Sequence, residues 1–162
     1  MIVTGSLWVA WSAGLRARLA VLADGEPLAV QPVVDGPTAL VPSPPRRRLF
    51  RTVDPGPRWP FVQFARDADH LVQEVVWSTE PTGRRPATPA DEAALSSLGW
   101  RVGSAPTVRM TYLTLVRWWP EEEARVPYPD GVDLTGAVAL TIATLRGPIG
   151  VRTPADVVID PA

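Results

Sequence analysis

The sequence predicts an α+β fold in which helices cover one antiparallel sheet. Three observations lead there. Apolar residues recur at three- and four-residue steps near both ends of the chain, and they alternate or run continuously in between. The resulting order, a helix, four strands, a helix, a strand and a helix, lacks the regular strand–helix alternation of a nucleotide-binding fold. A length of 162 residues, 46% of them hydrophobic, suits a single domain over 1–162, with about two-thirds of the unfolded chain's surface buried.

From Thr4 to Ala23, Leu7, Trp8, Trp11, Leu15, Leu19 and Leu22 share one helical stripe, and Arg16 and Arg18 fall off it. Thr4 or Ser6 can cap this helix, and Gly25 can take the left-handed conformation that ends it. Leu28–Val34 and Thr38–Val41 flank Asp35-Gly36, a hairpin dipeptide. The proline- and arginine-rich stretch at about 42–58 reads as a long surface loop. Trp59–Ala65 and Leu71–Trp77, joined across Arg66 to His70, predict an antiparallel hairpin with no wholly polar face, and therefore a central one.

Thr88-Pro89-Ala90-Asp91 combines a cap, a first-turn proline and a first-turn acid, so a short helix runs to Leu98, Gly99 stops it and Trp100 returns to the core. Thr107–Trp119 predicts a long strand, with Val108, Met110, Tyr112, Val116 and Trp118 on one parity and Pro120 at its end. Glu121–Asp130 reads as a loop. Leu134, Val138, Ile142 and Leu145 mark a last helix over about Asp133–Arg146, closed by Gly147-Pro148. Thr153 to Asp156 begins a short turn, and Val157-Val158-Ile159 finishes the chain.

Composition narrows function. Sixteen basic against seventeen acidic residues give a net charge of −1, which disfavours nucleic acid as a partner. With no Cys and one His, the chain offers no disulfide, Cys nucleophile, zinc cluster or His-pair metal site, so neither an enzyme nor a cofactor or metal is expected. Arg16 and Arg18 interrupt the apolar N-terminal stretch and no uncharged apolar run reaches about 18 residues, so neither a signal peptide nor a membrane span is expected, and the chain reads as cytoplasmic. All basic residues are Arg and Asn is absent, a bias of genome composition. Seven Trp is a true excess, which calls for a core or interface explanation.

Phe61-Val62-Gln63-Phe64-Ala65, the hairpin into Val72-Gln73-Glu74-Val75-Val76, and Ala93 to Trp100 ending in Leu-Gly-Trp resemble segments of actinobacterial TY-Chap domains, of the Tir-chaperone and YbjN-like superfamily. Ala139–Arg146 and Thr153–Val158 resemble that family's closing helix and tail. The chain departs from the pattern in carrying Arg117-Trp118-Trp119 in place of an Asn-aromatic pair, and in an Arg46–Arg58 loop that looks inserted. The resemblance implies a secretion-chaperone-like α+β fold, with N-terminal, short middle and C-terminal helices on the sheet, commonly dimeric, that binds a segment of a client protein and catalyses nothing.

On this reading the partner-binding residues are Tyr112, Leu115, Val116, Trp118 and Trp119, with Arg109 and Arg117 on the opposite parity to Tyr112, Val116 and Trp118 and available to acidic client residues. The same strand, offering its edge, is the expected homodimer contact. Adjacent strand residues point to opposite faces, so one of Trp118 and Trp119 is expected to be exposed. Two rival readings stand beside this one. Asp67, Asp69, His70 and Glu74 are the acid–His cluster from which a small hydrolase or ligand-binding enzyme could be built. Arg46, Arg47 and Arg48 form a loop suited to acidic or nucleic-acid partners.

Overall fold

The computed structural model describes residues 4–33, 59–79, 85–102 and 112–161. Their elements are α1 (Thr4–Ala20), β1 (Pro27–Pro32), β2 (Phe61–Asp67), β3 (His70–Ser78), α2 (Pro89–Ser97), β4 (Arg101–Val102), β5 (Tyr112–Trp119), α3 (Leu134–Thr144) and β6 (Val157–Pro161). The six strands form one antiparallel sheet in the order β4-β5-β3-β2-β1-β6. The fold is the expected α+β one, and the β2–β3 hairpin is central.

In α1 the buried stripe is Trp8, Leu15 and Leu19, continued by Leu22 just past the helix end, with Trp11 set edge-on against Trp8 at 5.4 Å. Leu7, one residue off that stripe, is 43% exposed. The side chains of the expected caps, Thr4 and Ser6, lie outside the described residues. Gly25 does adopt a positive φ of 74°, but in a turn where Glu26 N–H donates to Ala23 O, past the end of the helix. That turn, and not a helix cap, directs the chain into β1.

The Asp35-Gly36 turn and Thr38–Val41 lie outside the described residues. Both sides of β1 are occupied by other strands: Pro27–Val30 pairs with β2 and Leu28–Pro32 with β6. The C-terminal Val-Val-Ile run is thus a strand, too short to show a period of its own. The β2–β3 strands extend farther into their turn than expected, with Asp67 opposite His70 and only Ala68-Asp69 as the loop. Ala68 sits at φ 52°, unfavourable for a residue with a Cβ, and is held there by its N–H on Asp24 Oδ1 at 2.8 Å.

The helices pack on the sheet face that carries Leu28, Val30, Val62, Phe64, Leu71, Val75, Trp77 and Leu115. Gln73 lies among them fully buried. Its Nε2 donates to Ala137 O (3.0 Å) and Thr141 Oγ1 (2.8 Å) of α3, and its Oε1 accepts from Trp119 Nε1 at 2.8 Å. One side chain therefore ties β3 to both α3 and β5. Trp100 Nε1 likewise donates to Thr144 Oγ1 at 2.8 Å.

α2 starts as expected, with a reciprocal cap between Thr88 and Asp91. α3 does not stop at Gly147-Pro148; it widens into a π-helical turn over Leu145–Ile149 and ends at Gly150, φ 84°. A wide turn relieves the clash that Pro148 would make in an α-helix. Arg85 closes this end, donating from Nη2 to Pro148 O at 2.5 Å and from Nη1 to Ile149 O, while its own carbonyl accepts from Trp77 Nε1 at 2.7 Å. The 121–130 loop contributes a core residue that its polar sequence conceals: Tyr128 is buried and its hydroxyl donates to Leu19 O. Burial pushes the Tyr128 phenol up from its ordinary range, against a smaller opposing pull from Arg66, whose guanidinium lies 4.6 Å over the ring.

Candidate functional site

Side chains of a strand alternate between faces, so the register fixes what the second face, opposite the helices, presents. Three rows cross it. Trp118, Val72 and Ala65 are successive partners in the first; Val116, Glu74, Gln63, Ala29 and Asp160 in the second; Thr114, Val76 and Phe61 in the third, with Ala29 and Phe61 buried. The outer rows are mainly apolar. The middle row holds a polar pair, Gln63 Nε2 donating to Glu74 Oε2 at 2.5 Å.

Trp118 is 43% exposed here, its ring edge-on to His70 at 5.7 Å. Val72, its partner across the ladder, and Val116, two positions before it on β5, are half-buried, as is Val76 two rows away. Of the Trp118-Trp119 pair, then, Trp118 is the exposed member and Trp119 turns inward to Gln73. Tyr112 has the parity of Val116 and Trp118, pairing with Ser78, and its side chain lies outside the described residues.

Three expected contact residues face the wrong way for a partner on this surface. Leu115 is fully buried among the core residues, because its parity is that of Val75, its cross-strand neighbour. Trp119 is spent on the buried amide of Gln73. Arg117, also on the helix side, donates to Gly99 O at 2.7 Å, pairs with Glu121 at 2.6 Å and lies 5.2 Å over the Trp119 ring. Gly99 is required for this, since it has φ 97° and a Cβ would stand 2.8 Å from Arg117 Nη1. Arg109 and Arg46, Arg47 and Arg48 lie outside the described residues.

The sheet edges are also less open than the strand pattern suggested. β4 pairs with Leu115 and Val116 on the outer side of β5. On β6, the bond from Val33 N–H to Asp156 O fixes the alternation that turns the backbone of Ile159 outward, and its carbonyl accepts from Arg18 Nη1 at 3.1 Å. Short flanking strands and charged side chains are ordinary ways of blocking an edge. Sequence reasoning missed both blocks, since β4 has two residues and Arg18 and Ile159 are 141 positions apart.

The acid–His cluster does not converge. His70 Nε2 lies 3.1 Å from Glu122 O, Asp69 accepts weakly from Tyr128 N–H at 3.4 Å, and Glu74 is turned to Gln63. His70 and Glu74 are four positions apart on one strand, roughly 13 Å. Among the described residues no group of His, Asp or Glu is placed to hold a metal ion, and no helix is long and apolar enough to cross a membrane.

A sheet covered by helices on one side, with an exposed Trp beside half-buried valines on the other, defines an α+β domain with one open-faced sheet. The chain belongs to the TY-Chap3 family, described as T3SS (YopN, CesT) and YbjN peptide-binding chaperone 3, whose family model matches residues 3–161. No curated protein and no solved structure matches it.

Proposed function

We propose that the protein is a non-enzymatic chaperone that receives an extended segment of a client protein on the second face of the sheet, with Trp118 as its anchor and Val116 and Tyr112 on the same parity. The observation that carries this is the exposure of Trp118, since a large aromatic side chain left 43% open beside half-buried valines is what interface anchors look like before they are covered. The blocked edges of β5 and β6 favour binding over the face rather than addition of a strand. Leu115, Trp119 and Arg117 have no part in this reading.

The test is selection of 12-residue peptides from a displayed random library on the full chain. The wild type is expected to enrich peptides that Trp118→Ala binds about 30-fold more weakly, an interface Trp being worth about 2 kcal/mol. The melting temperature should fall by only a few degrees. Unfolding of the variant, or equal binding by it, removes Trp118 from the site.

We propose in addition that the chain forms a homodimer. Leu7, Ala10, Gly14 and Ala17, at alternating steps of three and four along α1, and Val21 just past its end are exposed and small or apolar, which supports close approach of a second helix. Light scattering at tens of micromolar should give twice 17.5 kDa. A monomer mass overturns the dimer and leaves the client surface untouched.

A further inference from the structure

Glu74 is a carboxylate set in the middle of the apolar face. Val72 and Val76 flank it along β3, and Val116 flanks it across the ladder on β5. Of its two oxygens, Oε2 accepts from the Gln63 amide, one bond for a group with about four acceptor positions. The nearest cation of this face in the ladder is Arg101, opposite Val116, and its guanidinium is taken by Glu121 at 3.2 Å. Two further acids, Asp67 and Asp160, share the parity of this face at its margins. Among the described residues the face is therefore apolar and acidic at its centre and margins, and the cation in Glu74's own row, Arg101, is paired with Glu121 instead.

Resting on the reading that this face receives the client, we propose that Glu74 selects the client by charge: the bound segment is extended and carries a Lys or Arg with apolar residues two positions before and two after it. Side chains of an extended segment at i, i+2 and i+4 point the same way and span roughly 13 Å, the distance from Val72 to Val76. The outer two then cover the valines and the middle one meets Glu74. A half-buried carboxylate strengthens such a contact relative to one in water, and it penalises any client that buries Glu74 without a cation.

The peptide selection is repeated on full chains carrying Glu74→Gln or Glu74→Lys. Gln keeps the acceptor for the Gln63 amide, so this variant is expected to fold as the wild type does, which circular dichroism checks. Peptides selected on the wild type should be enriched in a basic residue between apolar ones at two-residue spacing. Their affinity should fall about tenfold or more on Glu74→Gln, and Glu74→Lys should enrich Asp or Glu in the middle position. Peptides that depend on Trp118 but show no basic enrichment, or that bind Glu74→Gln unchanged, overturn the charge selection and leave the client surface standing. Apolar residues at helical spacing overturn the extended pose. The absence of any Trp118-dependent peptide removes both the surface and the selection. So does a Trp118→Ala protein that turns from dimer to monomer, which assigns the face to a second copy.

Discussion

Leu115→Arg is expected to leave the chain unfolded at 25 °C. Leu115 is fully buried, with Val75 across one side of its strand and Val102 across the other. Removing such a side chain to Ala costs about 2–5 kcal/mol through lost burial and the cavity left behind. Arg adds the larger penalty of a guanidinium with no partner in a low-dielectric interior, several kcal/mol more. The sum reaches the whole stability of an ordinary domain, about 5–15 kcal/mol. Loss of the cooperative melting transition and of near-ultraviolet circular dichroism reports this result. A folded variant melting within about 10 °C of the wild type would place Leu115 outside the core. The contrast with Trp118→Ala is instructive, because the two residues are three apart on one strand and the pleat sends them to opposite faces.

Gln73→Leu is the second large effect, expected at about 2–4 kcal/mol of destabilisation although Leu matches Gln in size and is apolar. The change deletes both amide bonds to α3 and strips Trp119 Nε1 of its acceptor. An indole N–H turned toward a dry core without a partner costs more than the bond itself was worth. Urea unfolding should show a lower midpoint with an unchanged slope. For a chain of this length the melting temperature should drop by roughly 5–15 °C. A shift below 1 kcal/mol would mean that water or a rotated Trp119 replaces the amide. Gln73→Glu should do worse than Leu, since it asks the same site to hold either a charge or a proton.

On the proposed reading, blocked edges and an open face belong together, because the client is then held by its side chains and not by strand addition. A free edge pairs with any extended strand, whereas a face discriminates by side chains. Arg18 on Ile159 and β4 on β5 suppress the first kind of contact. The row of Val116, Glu74 and Gln63 is the part of the face to which the proposal assigns the second.

Much of the scaffold was legible before any coordinates. The cap of α2, the β2–β3 hairpin and the inward turn of Trp100 are local patterns in which neighbouring residues specify one conformation. The alternation in β5 already separated Trp118 from Trp119, so the sequence contained the fact that the two diverge. It did not contain which of them meets the helices. The same alternation separates Leu115 from Val116, although the apolar enrichment of the whole strand makes both look like contact residues. Glu74 and Gln63 left a faint signal, as polar positions, together with Gln73, inside the apolar middles of two strands.

By itself the sequence determined the α+β class, the central hairpin and the two sets of side chains that each strand separates, since these follow from periods of 2 and 3.6 and from turn and cap residues within a few positions of one another; the family came instead from the resemblance of whole segments such as Phe61–Ala65 and Ala93–Trp100. The tertiary structure alone decided which set faces the helices. It also placed β6 beside β1, carried α3 through Pro148 as a π turn under Arg85, buried Tyr128 from a polar loop and turned Arg117 back onto Gly99. Each of these joins residues far apart in the chain, where no local period links the partners and the choice is made by which pairings fill the core and satisfy its buried donors at once.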